Sequence, residues 1–190
     1  MFNHTRGLWG YTGRAPDGEP MTIQSTGMGG PSAAIVIAEL VAMGVRRAVR
    51  VGTCGALDPS LELGELLVAT EALCADGTSR ALGADRSVPA DERLTAALRA
   101  AAPDARAGTI VSVDLFYESG PPGGGRDALA VEMEAATLFA IGASGPLAAG
   151  CLLVVSDTFG ADGTRSRIGD EALAAAAEKM GAAALAALSA

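Results

Sequence analysis

Ala48-Val49-Arg50-Val51-Gly52-Thr53-Cys54-Gly55 reads as a buried β-strand running into a turn with a glycine on each side of Thr53 and Cys54, and it decides the class of fold. Just upstream, Pro31 opens a helix, as proline at the first helical position does. Ile35, Ile37, Ala38 and Leu40 to Met43 give that helix a broad apolar face, and Gly44 stops it. Further upstream, Met21 to Ser25 reads as a short strand entering the loop Thr26-Gly27-Met28-Gly29-Gly30. Trp9 and Tyr11, two apart, lie on one face of another. Downstream, strands are predicted at Leu66 to Thr70, Gly108 to Val113, Leu129 to Met133 and Cys151 to Val155. Helices are predicted at Asp91 to Ala101 with Asp91 as cap, at Ala135 to Ile141 and at Asp170 to Leu188. Apolar runs in place of strict alternation, interleaved with helices, predict an α/β domain over residues 1–190. Its central sheet is mixed, mostly parallel and flanked by helices. The Pro/Gly stretch from Gly120 to Gly125 reads as a loop within that single domain.

Composition narrows the chemistry. Of 190 residues, 49% are hydrophobic and 19% charged, the balance of a chain that buries a core. The net charge of −8 and the absence of a basic stripe argue against nucleic acid as a partner. Three cysteines, Cys54, Cys74 and Cys151, form no CxxC pair and imply free thiols in a reducing cytoplasm. No apolar stretch is long enough to span a bilayer. His4 is the sole histidine, which removes most histidine-based zinc sites and any Ser-His-Asp triad that does not use it; no metal is expected.

In parallel sheets ligands gather at the carboxyl ends of strands, and three such ends carry polar residues here. Arg50 lies inside an otherwise apolar strand, where its planar fork suits phosphate oxygens or, more blandly, a salt bridge. The glycines around Thr53 allow backbone N–H groups to approach an oxyanion. Val131-Glu132-Met133-Glu134-Ala135 places two carboxylates at a strand-to-helix junction. They suit either a ribose diol or a helix N-terminus. Val155-Ser156-Asp157 closes a very apolar strand with an aspartate, either a desolvated general acid of raised pKa or the cap of the next turn.

Taken together, STGMGGPSAAIVIAEL (25–40), RVGTCGAL (50–57), SVDLFY (112–117), AVEMEAATLFA (130–140) and VVSD (154–157) resemble the nucleoside phosphorylase family of hexameric purine nucleoside phosphorylases and uridine phosphorylases. The segments follow the family's order across nearly the whole chain. The resemblance implies that Arg50 and Thr53 bind phosphate with backbone around Gly27 and Gly55. It implies that Glu134 holds the ribose hydroxyls, lined by Met28 and Met133. Phe116, Glu132, Ser156 and Asp157 would contact the base, with Asp157 as general acid and Arg50 as the catalytic phosphate ligand. Arg6 resembles the arginine that such enzymes lend to a neighbouring subunit's phosphate site. A homo-oligomer is therefore expected, a dimer as the smallest catalytic unit and a hexamer in the usual family assembly. Inorganic phosphate is the co-substrate, and no cofactor is implied. Family members begin with a further segment that carries the first core strand and a Gly-Asp-Pro phosphate loop, so the domain is expected to be N-terminally short.

The implied reaction is phosphorolysis of a purine nucleoside. Uridine enzymes of the family read uracil with a Gln and Arg pair; the corresponding segment, Glu118 to Leu129, holds Arg126 and no glutamine. Arg165 and Arg167 follow Asp157 closely enough to polarise it, or are simply solvated. Three other readings remain open: a uridine phosphorylase, a hydrolytic nucleosidase, and a truncated non-catalytic paralogue that binds nucleosides.

Overall fold

The computed structural model describes residues 4–116, 127–160, 162 and 164–190. In chain order its elements are β1 (Gly10–Arg14), β2 (Pro20–Gln24), α1 (Gly30–Ala42), β3 (Arg47–Ala56), β4 (Leu66–Cys74), α2 (Gly77–Ala81) and β5 (Ser87–Pro89). They continue with α3 (Glu92–Ala101), β6 (Arg106–Ser112), β7 (Ala130–Glu132), α4 (Ala135–Ser144), β8 (Ala148–Phe159), β9 (Arg165–Arg167) and α5 (Asp170–Leu188). Tyr117, the Gly120–Gly125 loop and Arg126 lie outside the described residues.

The most apolar run in the chain becomes the central strand. Cys151, Leu153 and Val155 of β8 enter a core shared with α1 and α4, while Leu152 and Val154 enter a second core with α3 and α5. A strand buried on both faces has no polar side to show, which is why its sequence does not alternate. β8 pairs in parallel with β3 from Arg47↔Ala148 to Thr53↔Val154, and β4 pairs in parallel with β6. The antiparallel ladders are shorter, so the mixed, mostly parallel sheet is as predicted. Its order is β5-β4-β6-β7-β3-β8-β9, and an added β4–β8 pairing closes five of these strands into a ring. The hairpin β1–β2 stands apart as a two-stranded sheet, with Tyr11 opposite Ile23 and both exposed.

Several local expectations change. β3 is not buried along its length: Val51 is 42% exposed, because β7 pairs with β3 only at Gly55 and Ala56. The apolar face of α1 is narrower than its composition suggests. Ala33, Val36 and Ile37 are buried, whereas Ile35 and Met43 are exposed. β8 does not stop at Val155 but carries Ser156 and Asp157 on to Phe159. α2, β5 and β9 were not predicted, since three to five residues hold too little of either period to register. The caps behave as expected: Asp91 accepts from Leu94 N at 2.8 Å, and Gly44 takes φ 103° just past α1.

Leu153 is fully buried between β3 and β4. Leu153→Ala is expected to cost about 2–5 kcal/mol through lost burial and an unfilled cavity. A lower urea midpoint at unchanged slope checks it.

Candidate active site

Strand register gathers the three polar strand ends. Gly55 of β3 lies opposite Val131 of β7 and, across a register shift at Cys54/Gly55, opposite Asp157 of β8. Added side-chain bulk at Gly55 would press on Val131 and Phe159 at 3.3 and 3.4 Å, so glycine is what lets these ends close up.

Arg50 stands at the centre. Its Nε donates to Glu132 Oε2 at 2.8 Å, and its Nη2 forms an ion pair with Glu134 Oε2 at 2.6 Å. Burial alone would lower the guanidinium's pKa, but the charges of Glu132 and Glu134 reverse this and hold it well above its usual value. Arg50 folds back over Gly52, where a Cβ would fall 2.5 Å from Nη1. That glycine was predicted to admit an oxyanion; it clears space for the arginine's own head. The salt bridge anticipated as the plain alternative is therefore present, and it is a double one.

The two carboxylates differ in access. The Glu132 side chain is only 1% exposed. It accepts from Ser112 Oγ, from Glu134 N at 2.8 Å and from Ala135 N at 2.9 Å, so it caps the first turn of α4 while it grips Arg50. Glu134 is 9% exposed and accepts from Gly29 N at 2.5 Å, which ties α4 to the glycine loop before α1. Burial raises its pKa, against the pull of Arg50 and the Gly29 N–H. Gly27 has φ 76°, and a Cβ there would meet Ser32 Oγ at 2.4 Å. This loop is thus built on glycine at both positions.

Asp157 is buried but not in the protonation state expected of it. Burial pushes its carboxyl up, yet hydrogen bonds from Arg165 and Ser156, with the charges of Arg165 and Arg167, bring it below the ordinary aspartate value. Arg165 Nε donates to Asp157 Oδ1 at 2.7 Å, and Ser156 Oγ donates to Oδ2 at 2.6 Å. Neither arginine is a free loop residue. Both lie in β9, where Arg167 is opposite Asp157. Arg165 also sits over the Phe116 ring, 5.2 Å from its centroid. In sequence Arg165 resembles a solvated turn residue, because it alternates with Arg167 on an exposed three-residue strand.

The remaining candidates are mostly exposed. Thr53 is exposed on β3 three residues beyond Arg50, and its hydroxyl makes no hydrogen bond among the described residues. Met28 is 88% exposed at the tip of the glycine loop, whereas Met133 packs against the Val111–Val113 cluster. Arg6 is exposed on the turn Thr5–Gly7 with φ 58° and forms no ion pair with the site among the described residues. Cys54 is no nucleophile: burial, helped by the charges of Glu132 and Asp157, pushes its thiol up to about 12. No helix of the described residues is long and apolar enough to cross a membrane.

The sequence model of the Phosphorylase superfamily matches residues 1–189. A guanosine phosphorylase of Halorubrum lacusprofundi is 38% identical over 166 residues, covering 83% of this chain and 69% of that protein. A DeoD-type purine nucleoside phosphorylase of Alkaliphilus metalliredigens is 34% identical over 168 residues, covering 83% and 72%. A uridine phosphorylase of Thermococcus kodakarensis is 37% identical over 160 residues, covering 73% and 58%.

Two outcomes follow from this geometry. Arg50→Ala leaves two buried carboxylates without their counter-ion and is expected to destabilise the fold by about 3–5 kcal/mol, measured by chemical denaturation. Asp157, with its lowered folded pKa, adds stability above the ordinary carboxylate range and loses it as pH falls through that lowered value. Asp157→Asn is therefore expected to flatten the acid limb of the stability–pH curve.

Proposed function

This chain belongs to the phosphorylase superfamily, and we propose that it cleaves the N-glycosidic bond of a purine nucleoside with inorganic phosphate, releasing free base and ribose 1-phosphate. The observation that carries this reading is the meeting of Arg50, Glu134 and Asp157 at three adjoining strand ends. An anion ligand, a diol acceptor and a group able to relay a proton are the three things the reaction needs. The guanosine and DeoD-type purine enzymes among its relatives support purine over pyrimidine.

In the reaction the C1′–N bond breaks with its electron pair moving to the base, while a phosphate oxygen bonds C1′ through an oxocarbenium-like transition state. Arg50 and Thr53 orient the phosphate, with backbone around Gly27 and Gly55, and the developing positive charge lies next to it. Arg50, Glu132 and Glu134 together carry a formal charge of −1, so Arg50 alone makes a weak anion site. Arg6 of a second copy of this chain is the cation that would offset this, which makes the working unit at least a dimer. Glu134 accepts from the ribose hydroxyls, Met28 and Met133 line the sugar, and Phe116 stacks near the base. Glu132 and Ser156 act from behind, on Arg50 and Asp157.

Asp157 delivers a proton to purine N7 and so must first bind one. Its pair with Arg165 keeps it ionised at rest. Movement of Arg165 toward the base leaves burial to dominate, and the carboxyl then takes up the proton it passes on. The three buried thiols suit a reducing compartment.

Free-base release that requires phosphate is the primary test; release without phosphate would mean a hydrolase, and no release a binding protein. Asp157→Asn is expected to slow inosine or guanosine turnover by about 10²–10⁴-fold. 7-Methylguanosine, whose N7 needs no proton, should be spared. Strong uridine cleavage that survives the substitution would move the assignment to pyrimidines.

A further inference from the structure

Behind the ribose-binding carboxylate lies a polar cluster that takes no direct part in the proposed reaction. Asp76, fully buried, accepts from Ser79 N at 2.7 Å and from Ser79 Oγ, and it forms no ion pair among the described residues. Its Oδ2 also accepts from Thr137 Oγ1 at 3.3 Å. Thr137, equally buried, is on α4 one turn beyond Glu134. Its hydroxyl in turn abuts Gly30, where a Cβ would fall 2.7 Å from Thr137 Oγ1 and 2.8 Å from Thr78 Cβ. Gly30 is the first residue of α1, and the preceding Gly29 donates its N–H to Glu134.

We propose that Thr137, oriented by Asp76, is a positioning residue for the sugar: it seats Gly30 so that the Gly29 N–H holds the Glu134 carboxylate in the orientation that accepts the ribose hydroxyls. The inference rests on the reading of Glu134 as the ribose ligand and adds the residues that aim it. A buried carboxylate is costly to keep without a counter-ion, and its three donors come from α2 and α4. The cluster therefore clamps those two helices to one another, with Thr78 of α2 and Thr137 of α4 forming the seat into which only a glycine at position 30 fits. A shift of a few tenths of an ångström there reaches Glu134 through a single hydrogen bond, and supporting contacts of this kind set the precision of a site.

The test is equilibrium binding of inosine and of 2′-deoxyinosine by calorimetry, with melting curves alongside. The parent is expected to prefer the ribonucleoside. Gly30→Ala and Thr137→Val, which removes the hydroxyl at nearly constant shape, are expected to reduce that preference about tenfold, the scale of one lost hydrogen bond to a charged group. Affinity for the deoxynucleoside, which keeps only the 3′ hydroxyl, should fall less than that for inosine, and Thr137→Ser should keep the preference within about twofold of the parent on the same scale. A purely structural cluster would weaken both ligands equally or lower melting alone, and either result overturns the proposal. Should the parent bind neither nucleoside, the ribose reading of Glu134 falls and takes the proposal with it. Should the parent discriminate and both variants keep that discrimination, the positioning role alone is refuted.

Discussion

Arg50, largely covered and held between Glu132 and Glu134, is the contact on which the rest of the site depends. It joins β3 to the β7–α4 junction across 82 and 84 residues of chain, and each partner is fixed again by the backbone. Glu132 is held by the first amides of α4 and by Ser112 of β6. Glu134 is held by Gly29 at the start of α1. One guanidinium thus sets the relative placement of two strands and two helices. Charges taken out of water are tolerated only when paired and fully hydrogen-bonded, and this trio meets that condition almost entirely from main-chain and neighbouring donors.

The same arrangement limits what the site can do with an anion. A lone buried arginine would attract phosphate strongly, but one already neutralised by two carboxylates does not. Any extra positive potential has to come from groups outside this trio.

A second pairing, Asp157 with Arg165, works in the opposite sense. The Arg50 pair is deep and structural, whereas Arg165 is half-exposed on a three-residue edge strand and shares its charge between a carboxylate and the face of Phe116. Interactions at such an edge break easily, because water replaces them at little cost. The protonation state of Asp157 is therefore coupled to the position of a short, weakly held strand.

Much of this was legible in the residues. The apolar runs, the proline and glycine around α1, the Asp91 cap and the long tail helix are short-range signals, and they placed most elements within a few residues. Arg50 stood out as a charge within an apolar strand, whereas Glu134 and Asp157 drew their roles from the family resemblance. What remained hidden depends on register between distant segments. That Gly52 makes room for Arg50, that Glu132 faces inward as a cap, and that Arg165 lowers rather than raises the readiness of Asp157 to hold a proton all follow from strand pairing and ring closure. The Asp76–Thr137–Gly30 seat is of the same kind: three unremarkable residues, 46 to 107 positions apart, made neighbours by packing. Local sequence determined which groups carry charge and where the chain turns; only the tertiary structure decided which charge meets which, because that is set by contacts no single segment contains.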